Sequence, residues 1–160
     1  MNDLTVGELI NSLSQTPLEI ANLLREFPAE SLTLKPSADE FSFLENICHL
    51  RDLEVEGYGL RITSILNEEA PRLADFDGAR VASERDYNRQ NLDEALGGFT
   101  RARRENVALL RTIDEEQFKR TGELQGVGQI TLDRLLEMML EHDEGHLEDL
   151  ARLCRRIKPH

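Results

Sequence analysis

The sequence predicts an all-α protein, a four-helix bundle with one long crossover between its second and third helices. Apolar residues recur at helical spacing in four stretches, and no stretch shows the alternation of a convincing β-strand. Three of these stretches begin with a capping residue that is followed three positions later by Glu. The connection over residues 68–90 is long enough for the third helix to begin at the same end of the bundle as the second.

The first predicted helix begins at Thr5, which caps it while Glu8 returns a hydrogen bond in a capping box. Its apolar residues continue to about Phe27, ahead of Pro28. Pro17 lies inside this stretch, and we expect it to kink the helix or to divide it in two, because proline removes a backbone donor and clashes with the preceding turn.

The second predicted helix follows a polar connection over residues 28–41. Ser42 and Glu45 form a second capping box at its start, and its apolar stripe extends to about Asn67. The residues that come next, 68–90, are irregular in pattern and form the long crossover.

The third predicted helix begins at Asn91 and extends to about Ile113. Residues 114–130 are rich in glycine and are expected to form a loop. Thr131 caps the last helix, which extends to about Ile157. The 160 residues, 1–160, suit a single domain with one core.

The composition argues against several classes of partner. The net charge of −12 argues against DNA, RNA or anionic lipid, which require a basic face. No apolar run approaches the ~18 residues of a membrane span, and no signal peptide is visible. The two cysteines lack CxxC spacing, which favours a reduced cytoplasmic protein, and Cys48 is expected to be a buried thiol.

The strongest chemical motif is Glu141-His142-Asp143-Glu144-Gly145-His146. His142 and His146 are four residues apart, so on a helix both side chains rise from one face. They fall within an apolar stripe, where an imidazole is costly to bury unless its nitrogens have partners, and a metal ion supplies one to each. His49 is a third candidate ligand, whereas His160 is the last residue and is expected to fray. Three histidines that leave coordination positions open are typical of a catalytic metal site.

Spacing excludes other metal motifs. A di-iron carboxylate bundle requires Glu three residues before a histidine, which none of the three has. The zincin motif requires Glu directly after the first histidine, where Asp143 stands. On an ideal helical wheel His49 lies away from its apolar stripe, so an exposed histidine on an acidic face is the alternative interpretation. If it is a ligand, Glu45 and Asp52 are within reach as acceptors for its other ring nitrogen.

Polar residues interrupt the apolar stripes at Arg51, Tyr58, Arg103 and Asp143. In one interpretation Arg51 or Arg103 extends to solvent or pairs with Asp143 inside the bundle. In the other, Arg51, Tyr58 and Arg103 line a polar pocket that binds substrate, the arginines through its carboxylates. Asp143 is a candidate proton acceptor in catalysis, or a partner of the ligand pair. The sequence leaves these alternatives open.

Five motifs follow one another along nearly the whole chain: Lys35-Pro36, Glu40-Phe41-Ser42-Phe43-Leu44-Glu45, His49-Leu50-Arg51-Asp52-Leu53-Glu54, Gly128-Gln129-Ile130-Thr131-Leu132 and His142-Asp143-Glu144-Gly145-His146-Leu147. Taken together in this order, they resemble the DinB-like superfamily, which includes the bacillithiol S-transferase-like proteins. The family usually has Trp where this chain has Phe41.

The resemblance implies an up-down-down-up four-helix bundle, often a homodimer, in which His49, His142 and His146 hold one divalent ion such as zinc, nickel or iron. It also implies a metal-dependent transferase that joins a low-molecular-weight thiol to an electrophile. The alternatives are a metal-dependent hydrolase that uses the same site and a non-catalytic, metal-stabilised binding protein. DNA binding is not implied.

Overall fold

In the computed structural model, which describes residues 3–157, four long helices form a bundle. The second of them is continuous, but a π-helical segment separates its two α-helical parts, which are labelled α2 and α3. The long helices are α1 (Val6–Leu24), α2 (Phe43–Leu53) with the π-helix Glu54–Tyr58 and α3 (Gly59–Asn67), α5 (Leu92–Leu110) and α6 (Leu132–Ile157). The prediction of a four-helix bundle is confirmed.

The connections contain shorter elements, including a small sheet that the sequence did not predict. They are the 3₁₀-helices Ala29–Ser31, Tyr87–Arg89 and Glu115–Lys119, helix α4 (Gly78–Arg85), and strands β1 (Arg72–Leu73), β2 (Thr121–Leu124) and β3 (Gly128–Thr131). Strand β2 pairs antiparallel with β3 and parallel with β1.

Residues 114–130 are therefore not a simple loop. The strands contain only two to four residues, too few for an alternating pattern to be recognisable in the sequence. The glycines in this segment allow the hairpin to turn, because Gly126 has a φ of 82° and Gly128 a φ of 109°, values that favour glycine.

Contacts between helices establish their directions. Thr16 contacts Asp143, and the backbone carbonyl of Leu23 contacts Cys154, so α1 and α6 are parallel. Arg103 of α5 donates to the backbone carbonyl of Leu13, so α5 also packs against α1.

The second and third long helices are parallel to each other. Arg51 packs against Gly98, and Glu54 bonds to Arg103 and Asn106, so both helices begin at the same end. The long crossover thus allows the third long helix to begin at the same end of the bundle as the second, as predicted, and the arrangement is up-down-down-up.

The predicted helix starts are present. Thr5 and Ser42 each form a complete capping box. Asn91 and Thr131 each accept a hydrogen bond from the backbone N–H three residues later. These local signals were sufficient to place the helix starts.

Pro17 does not divide the first helix, which continues from Val6 to Leu24. Leu13 and Ile20, on either side of the proline, are completely buried. Because both halves of α1 are held by packing against the same neighbouring helices, they remain parts of one helix.

The π-helix in the second long helix was not predicted from the sequence. A π-helical turn admits an extra residue, and such segments frequently occur at functional sites. This one contains Glu54 and Tyr58, both of which are buried in the bundle.

Two apolar clusters form the core, and along α6 the histidine pair lies between them. Leu140 is the last buried α6 residue of the first cluster, and Leu150 is the first buried α6 residue of the second, with Leu147 packed against it. His142 and His146 occupy the interval between them, so the polar site lies at mid-bundle. Within residues 3–157, no helix is both long and apolar enough to cross a membrane.

Candidate metal centre

The three predicted ligands converge. His49 lies on α2, while His142 and His146 lie one turn apart on α6. The Nε2 atom of His142 is 3.3 Å from Nε2 of His49 and 3.1 Å from Nε2 of His146. One ligand atom from each residue lies within 4.8 Å of the others, so the three imidazoles can bind one ion.

These separations fit a metal ion. With Zn–N distances of about 2.0–2.1 Å, two nitrogens of a tetrahedral site are about 3.3 Å apart, close to both separations in the cluster. Three imidazole lone pairs that face a common point repel one another, and a cation bound at that point relieves this repulsion. Three neutral nitrogen ligands also leave coordination positions open.

Asn46 orients one of the ligands. Its Nδ2 donates to the carbonyl oxygen of Ser42 at 2.9 Å, so its Oδ1 is the atom that faces His146. Nδ1 of His146 donates to this Oδ1 at 2.7 Å, which leaves Nε2 with the lone pair that a metal requires. This role of Asn46 was not predicted from the sequence, where the available signal is an amide three residues before His49 and therefore on the same helical face as that ligand.

The outer nitrogens of the other two ligands have different surroundings. Nδ1 of His49 and Nδ1 of His142 are buried and have no hydrogen-bond partner within the described chain. The expectation that Glu45 or Asp52 accepts from His49 was wrong. Glu45 is occupied by its capping box, and Asp52 accepts from Tyr87 and arginines instead.

His49 is 8% exposed, so the alternative of an exposed histidine is excluded. A helical wheel predicts burial only from the apolar stripe of the helix itself. In the fold, residues of the crossover cover the face of α2 that carries His49. A Cβ placed on Gly78 would lie 2.7 Å from Cε1 of His49, so the two residues touch. The rings of Phe41 and Phe76 flank the imidazole at 5.6 and 6.2 Å between centroids.

Burial keeps the ligands neutral. It is the main cause that lowers the pKa of His49, His142 and His146 to about 4, and a neighbouring histidine lowers each further. Near neutral pH all three imidazoles are therefore available as ligands without first losing a proton.

Arg103 and Asp143 form the internal pair that the sequence left open as one alternative. Arg103 is 1% exposed, and its five N–H groups are all used, by Glu54, Asp143 and the carbonyl of Leu13. Asp143 also accepts from Thr16 at 2.6 Å. In the described part of the chain neither of its oxygens bonds an imidazole, and the ion pair lies beside the ligands.

Arg51 and Tyr58 lie in different places. Arg51 donates to Asp52 and to Gln90, both at 2.8 Å, between α2 and the crossover. The ring of Tyr58 is 6.1 Å from that of His142 between centroids. Burial raises the pKa of Tyr58 to about 12, so its hydroxyl stays protonated. Of the two, the structure brings Tyr58 to the histidines.

A cavity of about 270 Å³ lies next to residues that contact the histidines, although its lining does not include the three histidines themselves. Phe41 and Asn46, which contact His49 and His146 respectively, are part of its wall. Ala79, next to Gly78, also lines it, and Asp149 and Arg152 contribute opposite charges. A small molecule in this cavity would lie against the residues that support the ligands.

Curated relatives match nearly the whole chain. "Putative metal-dependent hydrolase OB0782" from Oceanobacillus iheyensis is 22% identical over 156 residues, 98% of this chain and 90% of the relative. "Putative metal-dependent hydrolase YfiT" from Bacillus subtilis is 23% identical over 154 residues, 92% of this chain and 83% of the relative.

Solved structures share the fold. YfiT from Bacillus subtilis, described with "an unusual four-helix bundle topology", superposes with a TM-score of 0.88 at 21% identity and covers 98% of this chain and 90% of its own. A DinB-like protein from Bacillus subtilis, YjoA, has a TM-score of 0.62 at 17% identity and covers 95% and 93%. The sequence model of the DinB superfamily matches residues 12–150.

Proposed function

Because the chain belongs to the DinB superfamily, we propose that it is a metal-dependent enzyme whose three histidines hold one divalent ion, zinc, nickel or iron. We further propose that it activates a low-molecular-weight thiol for transfer to a small electrophile. The observation that carries this proposal is the convergence of three neutral imidazoles on one point, with Nε2 separations of 3.1 and 3.3 Å.

The protein's own residues prepare this point for chemistry. A divalent ion there supplies a Lewis acid that favours the ionised form of a thiol or water bound to it. His49 is fixed between two phenylalanines, and Asn46 fixes His146. His142 and His146 remain partly exposed, which leaves a route for a small molecule to reach the site.

The carboxylates near the histidines favour a thiol over water. Asp143 is engaged by Arg103 and Thr16, and Asp52 by Tyr87 and arginines. Neither is free to take a proton from a nucleophile. An ordinary thiol has a pKa of about 8.5, against about 15.7 for water, so it requires less help to ionise.

The polar residues of the bundle receive separate roles in this proposal. The adjacent cavity holds the body of the substrate, and Tyr58 offers a protonated hydroxyl on the side of His142. Arg103 and Asp143 are positioning residues, because their ion pair holds α6, which carries two ligands, against the neighbouring helices. We assign Arg51 the same kind of role, through Asp52 and Gln90.

Hydrolysis on the same site is the second candidate. It is favoured by two relatives that are both named as metal-dependent hydrolases. In that case water takes the place of the thiol, and the same histidines and cavity serve the reaction.

The test is to incubate metal-loaded protein with a haloarene or epoxide, with and without each common cellular thiol. Thiol transfer requires turnover that depends on both the metal and the thiol, and that is lost in His142→Ala. His160→Ala serves as the matched control, since His160 was not predicted to be a ligand and lies outside the described residues. Equal turnover without thiol would establish the hydrolase, and no turnover with intact metal binding would favour a binding protein.

A further inference from the structure

The two arginines that are buried within residues 3–157 differ in how their charge is satisfied. Arg103 uses all five N–H groups and pairs with two carboxylates. Arg61 is 7% exposed, yet its only hydrogen bond within residues 3–157 is from Nη2 to the carbonyl oxygen of Ala74 at 3.1 Å. Its Nε is buried without a partner, and no carboxylate in that part of the chain lies within ion-pair distance. Such a buried, unpaired charge is costly.

Arg61 is linked to the metal centre through Tyr58. Its guanidinium carbon is 5.4 Å from the ring centre of Tyr58, and the Tyr58 ring in turn lies 6.1 Å from the ring of His142. A single aromatic ring therefore separates the guanidinium from a ligand. The cation–π contact with Tyr58 does not use the N–H groups of Arg61 as hydrogen-bond donors, so the N–H groups without a partner are left for a ligand.

The unsatisfied donors match the chemistry of an oxyanion. A guanidinium binds carboxylate or phosphate through two parallel hydrogen bonds, which would give Nε the partner that it lacks. A substrate that brings its own negative charge would also offset the cost of burying Arg61 without one.

We propose that Arg61 binds an oxyanionic group of the substrate, a carboxylate or a phosphate, beside the metal centre, with Tyr58 as the surface on which its guanidinium rests. This inference rests on the proposed function and specifies it, because it makes the substrate an anion. It was not foreseen from the sequence, where Arg51 and Arg103 were the candidates for this role.

The experiment titrates acetate and inorganic phosphate separately into zinc-loaded protein and measures binding by calorimetry. Arg61→Met keeps an unbranched stem but removes the charge, and Arg61→Lys restores the charge without the planar donors. Arg120→Met is the matched control, since Arg120 also binds backbone carbonyls, those of Ile65 and Glu68, but its Nε is satisfied.

We expect at least one probe to bind the unaltered protein, and Arg61→Met to weaken that binding about tenfold or more. Arg61→Lys should recover only part of the affinity, and Arg120→Met should retain all of it. The probe that binds more tightly identifies the group as carboxylate or phosphate. Equal affinity in Arg61→Met, or no binding of either probe to the zinc-loaded protein, would overturn the proposal.

The metal content of every variant is measured in parallel. Loss of zinc from the unaltered protein would contradict the proposed function itself. Retained zinc with anion binding that does not depend on Arg61 would contradict only the role of Arg61. A folded Arg61→Lys variant keeps the test decisive if the methionine variant is unstable.

Discussion

Asn46 accepts a hydrogen bond from Nδ1 of His146 at 2.7 Å, and this contact joins the N-terminal part of α2 to the metal ligands of α6. Asn46 is itself oriented by its bond to the carbonyl of Ser42, the residue that caps α2. The start of one helix thus determines the orientation of an imidazole on another. The contact also selects the ring tautomer that can bind a metal.

Removal of this acceptor should weaken metal binding. In Asn46→Leu the side chain keeps a similar shape, but Nδ1 of His146 loses its partner and the ring loses its orientation. We expect the metal affinity to fall about 10–100-fold, the usual effect of removing such a partner. Competition with a chelator of known affinity measures the change. Asn46→Asp, which retains the accepting oxygen, should lose less, and an equal loss in both variants would contradict this role.

Gly78 and His49 are in contact, so a side chain at position 78 should displace a ligand. A Cβ there would lie 2.7 Å from Cε1 and 3.0 Å from Nδ1 of His49, and the imidazole would have to move. Gly78→Ala should therefore lower metal affinity about tenfold or more. Gly97→Ala is the control, because nothing lies within 4 Å of its Cβ. It should leave metal binding unchanged and stabilise α5 by about 0.5–1 kcal/mol.

The buried ion pairs of Arg103 should be far more sensitive than those at the surface. Arg103→Met leaves the carboxylates of Glu54 and Asp143 buried without their cation, which should cost about 3–5 kcal/mol of the free energy of unfolding. Arg134→Met breaks exposed pairs on α6 and should cost less than about 1 kcal/mol. Urea unfolding measures both, and similar losses would show that the buried pairs contribute little.

Metal-free protein should lose stability as the pH falls below neutrality. His49, His142 and His146 have pKa values lowered from 6.5 to about 4 by burial. Between these values the unfolded chain binds protons that the folded protein does not, so the stability present above pH 6.5 is lost as the pH falls toward 4. A single histidine with this shift contributes about 3 kcal/mol to the free energy of unfolding.

Thermal unfolding of chelator-treated protein between pH 7 and pH 5 measures this effect. Burial alone would raise the pKa of Asp52, but its hydrogen bonds to Arg51 and Tyr87 lower that pKa overall. Asp52 therefore stays ionised across this pH range. His142→Leu removes one of the three groups and should show a shallower dependence. A pH dependence unchanged in this variant would exclude His142 as one of its sources.

The sequence by itself determined the elements that depend on neighbouring residues. Thr5, Ser42 and Asn91 begin their helices through hydrogen bonds that span three residues, so the cap pattern was sufficient to place them. The spacing of His142 and His146 likewise predicted that both side chains lie on one face of one helix. The long crossover, together with the family resemblance, predicted the order of the bundle correctly.

Only the tertiary structure decided which side chains meet across the bundle. The partner of His146 is Asn46, one hundred residues away, and Arg103 meets Glu54 and Asp143 from two other helices. The π-helix and the burial of His49 beneath Gly78 also depend on packing between distant segments. Helical periodicity reports which face of a helix turns inward, but it contains no information on the facing residue, because that choice is made by the packing of whole helices.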